Sequence, residues 1–423
     1  MTSLTLLIWI VSGILLQLAI FIGISFWRHW LEYQALSHHA GGLDLPLSQH
    51  LPEETENAIA AWPGFRTFKV DRKVIEDAAQ SICSFYLTAE DEQPLPPFLP
   101  GQFLTFRLDI PNASGNTEQV VRCYSLSDAP RPDYYRVSIK RASPPAGSQF
   151  PPGKSSTFFH DQVTVGTRLQ VRAPGGNFHI DRSNYPVVLI GGGIGITPML
   201  SMLNSCLQEQ PGREIWLFYG VRHSGELIMR PHLEAMAASH PNFHLQFCLS
   251  NPQPEDLNGK GYLHSGRIDI NRLRLSLPLK PCHFYICGPA PLLESLVPAL
   301  EEWGVPDAHI HFEAFGPSSI KRKQSVAAMA EAPPTGADAE ITVTFAKSGK
   351  QLQWQPAASN LLEFAESNGI AVDFGCRAGS CGTCQTTIRA GEVIYRQSPD
   401  FAPEPGKCLL CVSRPKTSVT LEV

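Results

Sequence analysis

The chain has 423 residues, a length that fits two to three domains of about 150 residues each and excludes a single small module. Lysine and arginine total 34 against 39 aspartates and glutamates, a net charge of −5 that leaves no basic excess for gripping a phosphate backbone, so nucleic-acid binding is not expected. Charged residues are 17% of the chain, below the usual figure of about 25%, and there are 36 prolines, which points to loop-rich β structure together with an apolar segment. Eleven cysteines are too few for a disulfide scaffold, and five of them, Cys376, Cys381, Cys384, Cys408 and Cys411, crowd into the last 48 residues, as metal ligands do.

From Leu4 to Trp27 the chain runs 24 residues without a charge. At about 1.5 Å per residue a helix of that length covers about 36 Å, enough for a hydrocarbon core of about 30 Å. No Lys or Arg precedes the run and no small-x-small cleavage site follows it, so the expectation is an uncleaved single-pass anchor in the lipid bilayer over 1–30 and not a signal peptide. Arg28 lies just after the span and favours a cytoplasmic body.

Residues 31–61 form a juxtamembrane segment without a strong period. Over 62–182, runs such as Ile82 to Leu87, Phe103 to Leu108, Tyr135 to Ile139 and Leu169 to Val171 alternate with Pro and Gly turns and predict an antiparallel β-barrel. Over 183–318 a buried strand at Val187 to Ile190 precedes a helix near Met199 to Gln208 and a strand at Ile215 to Tyr219, and His283 to Cys287 precedes a helix near Leu292 to Trp303. Strand, helix, strand implies a doubly wound α/β domain with a parallel sheet. Residues 319–339 read as a linker, and 340–423 as a separate terminal domain.

In that terminal domain Cys376, Cys381 and Cys384 have the spacing C-x4-C-x2-C, and 26 residues separate Cys384 from Cys411. Glycines at 375, 379 and 382 let the backbone wrap closely and turn amides toward sulfur, while a thiolate from a distant segment closes the fourth position. The pattern resembles the plant-type two-iron, two-sulfur ferredoxin, a β-grasp-type fold. The resemblance implies Cys376, Cys381, Cys384 and Cys411 as ligands and leaves Cys408 as a thiol near the cluster. A zinc ribbon built on Cys381, Cys384, Cys408 and Cys411 is the competing reading, which leaves Cys376 and the glycines unexplained.

Arg122 and Tyr124 share one face at the end of a barrel strand, an arginine for pyrophosphate beside an aromatic plane for a flavin, and Ser125 can present a hydroxyl near the reactive ring nitrogen. Lys140 ends the next strand, and Gly153 to Ser156 opens a helix whose first amides can hold phosphate. Gly191, Gly192, Gly193 and Gly195, followed by Thr197 and Pro198, form a glycine turn between strand and helix where a dinucleotide pyrophosphate can approach the backbone. Together these resemble the ferredoxin reductase superfamily, with local wording like the reductase segment of flavohemoglobins but without the globin. The resemblance further implies that Cys287, Gly288 and Pro289 lie beside the nicotinamide ring and that Phe315 covers the flavin until nicotinamide displaces it. With the terminal ferredoxin, the domain order resembles the phthalate dioxygenase reductase group.

A nicotinamide gives up electrons in pairs and a two-iron cluster accepts one at a time, so a flavin must stand between them. The expected function is a membrane-anchored reductase carrying electrons from NADH through flavin and a 2Fe-2S cluster to a partner metalloenzyme such as a desaturase, a hydroxylase or a Rieske-type oxygenase. Quinone as acceptor and a flavin-free zinc adaptor are the alternatives. FAD is favoured over FMN by the helix start at Gly153. The resemblance favours NADH over NADPH, because where NADPH-using relatives place a Ser-Arg pair this chain has Ser250 and Asn251, with no second basic group for a 2′-phosphate, although Arg222 leaves NADPH open.

Overall fold

A computed structural model describes residues 61–315 and 341–423, except 63, 112–114, 145–146, 148–150, 258–262, 356–357, 376, 378, 380–381, 396–398 and 400, together with Gln17. Apart from Gln17 and Ala61, the expected anchor, juxtamembrane segment and linker lie outside the described residues. Among the described residues no helix is long and apolar enough to cross a membrane.

The first domain is a six-stranded antiparallel sheet of β1 (Phe65–Ile75), β2 (Ile82–Ala89), β3 (Phe103–Pro111), β4 (Thr117–Ser125), β5 (Tyr135–Lys140) and β6 (Arg168–Gly175), in the order β4-β3-β6-β1-β2-β5. The ends of this order meet where Leu126 bridges Val137 and the Ser127 amide donates to the Arg136 carbonyl at 2.8 Å, so the sheet closes into the expected barrel. Alternation along each strand sends Phe68, Val70, Leu104, Phe106, Leu108 and Val137 inward. Helix α1 (Lys154–Asp161) plugs the barrel with Phe159, whose ring meets Phe85, Phe106 and Tyr124 edge-on at 5.2–5.3 Å.

The second domain holds a wholly parallel sheet, order β10-β9-β8-β7-β11-β12, made of β7 (Val187–Gly192), β8 (Ile215–Val221), β9 (Phe243–Leu249), β10 (Leu263–Ser265), β11 (His283–Gly288) and β12 (Ile310–Ala314). Every residue of β7 is buried because both faces of the sheet are covered. Val187 and Leu189 pack toward α2 (Ile196–Glu209) and α3 (Arg230–Ser239), whereas Val188 and Ile190 pack toward α4 (Ile270–Ser276) and α5 (Ala290–Trp303). This is the doubly wound arrangement that the strand and helix alternation implies.

Between barrel and sheet, Asp181 is clamped by Arg213, which donates to its carboxylate at 2.6 Å and to its carbonyl at 2.9 Å, and by the Tyr285 hydroxyl at 3.1 Å. The Arg213 side chain has no exposed surface, so these charge-assisted bonds hold the junction from its buried side.

The terminal domain has a mixed sheet, order β14-β13-β19-β15-β17, from β13 (Thr342–Phe345), β14 (Lys350–Gln353), β15 (Gln385–Ala390), β17 (Lys407–Leu409) and β19 (Val419–Leu421). A two-stranded ribbon joins β16 (Val393–Tyr395) to β18 (Ser413–Pro415). Strand β13 runs parallel to β19 and antiparallel to β14, and α6 (Leu361–Ser367) covers the sheet through Leu361, Phe364 and Ala365. A helix grasped by a mixed sheet matches the expected β-grasp form.

Candidate functional site

Strand β4 delivers Arg122, Tyr124 and Ser125 to one cavity of ≈ 330 Å³, also lined by Lys140 at the end of β5 and by Thr197 at the start of α2. Tyr124 is held edge-on by Phe106 at 5.8 Å and Phe159 at 5.2 Å, and burial pushes its phenol well above the usual range, so it stays neutral. Ser125 is buried, and the Thr197 hydroxyl donates to the Ile194 carbonyl at 2.9 Å. A cation, a neutral phenol and buried hydroxyls in one cleft form a donor set suited to a flavin ring and its phosphate.

A second, larger cavity of ≈ 900 Å³ opens at the carboxyl ends of β7, β8 and β11, where Gly192, Gly193, Gly220, Gly288 and Pro289 form its wall. Ligands bind at that edge of open α/β sheets. The glycines of the turn serve two purposes. A Cβ on Gly195 would sit 2.2 Å from the Cys287 carbonyl oxygen, so that glycine lets the turn pack against the end of β11, whereas Gly193, at φ +56°, faces open space and leaves its backbone accessible. Gly191 is likewise packed closely against Ile196, and Pro198 lies buried in the first turn of α2.

The two cavities share Lys140, Ile194 and Phe315 in their walls, and Phe315 is 40% exposed at that junction. Cys287 is fully buried one residue behind Gly288 and lines neither cavity; burial first, then the Glu313 carboxylate, pushes its thiol upward. Gly153 and Ser156 also line neither cavity. The Ser156 hydroxyl donates to the Gly153 carbonyl at 2.9 Å and accepts from the Ala142 amide at 3.0 Å, which commits it to holding the loop against α1.

Sequence reasoning did not foresee that the terminal domain lines the smaller of these cavities. Phe374, Gly375 and Arg377 complete the wall of the smaller cavity. The Arg122 guanidinium lies 5.2 Å from the Phe374 ring centre and donates to the Phe374 carbonyl at 3.4 Å, while Arg377 stacks on that ring at 4.1 Å. A second contact sets Arg172 of β6 over Phe401 at 5.3 Å. The only sequence signal was the position of Phe374 two residues before Cys376.

Of the four expected cluster ligands, Cys376 and Cys381 lie outside the described residues. Cys384 and Cys411 are buried with their sulfurs 3.2 Å apart and without a disulfide, a convergence of two thiols suited to one metal centre. Cys408 is buried beside them on β17, and burial pushes its thiol up to about 12. Among the described residues no group of three metal-ligating side chains is present.

Residues 189–297 match the oxidoreductase NAD-binding domain family, and residues 343–416 match the 2Fe-2S iron-sulfur cluster binding domain family. A flavohemoprotein of Bacillus thuringiensis subsp. konkukian is 37% identical over 276 residues, covering 65% of this chain and 67% of the relative. The crystal structure of the flavohem-like FAD/NAD binding domain of nitric oxide dioxygenase from Vibrio cholerae O1 biovar El Tor superposes with a TM-score of 0.53 at 30% identity, covering 60% of this chain and 100% of that domain. An intact type IV self-sufficient cytochrome P450 monooxygenase shares the fold over 85% of this chain and 41% of its own, with a TM-score of 0.53 at 23% identity.

Proposed function

Since the chain belongs to the flavohemoprotein family through its FAD/NAD-binding segment and carries a 2Fe-2S binding domain beyond it, we propose that it carries electrons from NADH to a metalloprotein acceptor at a membrane surface. The chain is an NAD(P)H-dependent flavin iron-sulfur oxidoreductase, with FAD, NADH and a 2Fe-2S cluster as its redox groups. FAD supplies the change from paired to single electrons when it is bound.

The observation that carries the proposal is the wall of the smaller cavity, to which all three domains contribute: Arg122 and Tyr124 from the barrel, Thr197 and Phe315 from the α/β domain, Phe374 and Arg377 from the ferredoxin domain. Arg122 and Lys140 supply positive charge for phosphate and for the electron-rich ring. Tyr124 excludes water from one face. Phe315 separates the ring site from the nucleotide site, and its exposure leaves it room to move aside. Gly375, in that wall, immediately precedes the first expected ligand, Cys376, in the sequence.

The charge-free run from Leu4 to Trp27 supports a single-pass anchor, and Arg28 just after it favours a cytoplasmic body. Such an anchor restricts the partner search to the membrane plane, which favours a membrane desaturase or hydroxylase as acceptor. Substitution Cys411→Ser tests the exit. NADH-driven ferricyanide reduction should persist and reduction of cytochrome c should fall steeply; unchanged cytochrome c reduction in protein shown to lack the cluster would make the ferredoxin domain an accessory.

A further inference from the structure

The electron path leaves one charged pair of the larger cavity unused. Arg222 follows the end of β8, and four residues later Glu226 turns back to it: the Arg222 Nε donates to Glu226 Oε1 at 2.8 Å, Nη2 bonds the same oxygen, and the Arg222 amide donates to Oε2 at 3.0 Å. Both residues line the cavity. Their exposure is unequal, 70% for the Arg222 side chain and 16% for Glu226, so the carboxylate is the fixed partner and the guanidinium faces the space. Burial alone would raise the Glu226 carboxyl, but the hydrogen bonds from Arg222 and the charge of Lys140 hold it below its ordinary value, so it is ionised at neutral pH.

In open α/β sheets that bind dinucleotides, the adenosine ribose lies toward the end of the strand after the glycine turn and its helix. An acidic residue there accepts from the 2′-hydroxyl, or an arginine there meets a 2′-phosphate. Here one site holds both types, already spent on each other. A 2′-phosphate would meet a guanidinium whose charge is compensated and a carboxylate that repels it. A free 2′-hydroxyl carries no charge and meets neither obstacle. Arg267, Lys140 and Asp269 also line the cavity; Asp269 accepts from the Arg272 amide at 2.8 Å at the start of α4, so Glu226 is the carboxylate joined to Arg222.

We propose that Glu226 is a specificity-determining residue which, by holding Arg222 neutralised, reserves this cavity for a nucleotide with an unphosphorylated ribose. The inference rests on the cavity being the NADH site, and the experiment separates failure of that reading from failure of this one. Binding of 5′-AMP and of 2′,5′-ADP to the full-length protein is measured by calorimetry for wild type, Glu226→Gln and the double variant Glu226→Gln/Arg222→Ala. Glutamine keeps an acceptor oxygen for the Arg222 amide and removes the charge.

The single variant should bind 2′,5′-ADP about tenfold more tightly relative to 5′-AMP than wild type does, as expected for one freed charge-assisted contact, and the gain should shrink as salt rises. The double variant should lose the gain. Equal 5′-AMP binding with an unchanged ratio overturns the proposal and leaves the site reading intact. A gain that survives loss of Arg222 overturns the neutralisation argument. No binding of 5′-AMP to wild type overturns the site reading, and the proposal with it.

Discussion

Removing the Phe374 ring should uncouple the flavin from the cluster without emptying either site. The ring lies 5.2 Å from the Arg122 guanidinium and 4.1 Å from that of Arg377, and it is half-buried in the shared wall. Of the two cation–π contacts only the one to Arg122 crosses the domains; it contributes about 0.5–1 kcal/mol, and loss of half-buried apolar surface adds about 1 kcal/mol. Phe374→Ala should therefore weaken docking of the ferredoxin domain on the barrel by about 1.5 kcal/mol, a shift of about tenfold in the docking equilibrium. Anaerobic rapid mixing with NADH, with flavin and cluster absorbance followed separately, reads the effect. Flavin reduction should keep the wild-type rate while cluster reduction slows by up to about tenfold, and Phe374→Tyr, which keeps the ring, should restore most of the rate. Unchanged cluster reduction in a Phe374→Ala protein with full flavin and iron content would refute the docking argument.

Three other outcomes are expected. Serine at Cys376, Cys381, Cys384 or Cys411 should abolish most of the cluster absorbance while flavin stays bound, whereas Cys408→Ser should retain it; iron and sulfide analysis decides the ligand set. Arg122→Ala should lower the flavin content of purified protein through loss of a planar cation, and Tyr124→Ala through loss of an aromatic wall; bound flavin is read by release and fluorescence. Burial raises the Asp181 carboxyl, but hydrogen bonds from Ser183 and Arg213 together with the Arg213 charge hold it well below its ordinary value. Its stabilising contribution is thus full above about pH 4 and is lost as pH falls toward the folded-state value, so Asp181→Asn should flatten the acid limb of a stability–pH curve. Arg213→Ala should cost about 3–5 kcal/mol in denaturant unfolding at neutral pH, because it strands a partly buried carboxylate.

The elements most legible in the sequence were those whose pattern is local. The apolar run of β7, the glycine turn before α2 and the alternation that sets Arg122 beside Tyr124 are each contained within about ten residues, and all appear where their periodicity places them. Strand β1 was harder to see because a bulge between Val70 and Arg72 breaks its alternation. The loop role of Ser156 was hidden because helix-start chemistry is the same whether the hydroxyl serves a phosphate or a neighbouring amide. The least legible feature was the shared wall: Arg122 and Phe374 are separated by 252 positions, and no local period reports a contact between domains. The Arg222 and Glu226 pair has helical spacing, but it spans a strand end and a short turn, so spacing alone gave no reason to pair them.

On the proposed path, electrons pass from nucleotide to flavin to cluster inside one chain, across the wall where the three domains meet. The most direct test is a single-turnover anaerobic reaction of the holoprotein with less than one equivalent of NADH, repeated over a tenfold range of protein concentration, with flavin and cluster absorbance recorded together. Cluster reduction should follow flavin reduction with a first-order rate that does not change with protein concentration. A cluster rate that rises in proportion to protein concentration, or a cluster that stays oxidised while flavin is reduced, would contradict it.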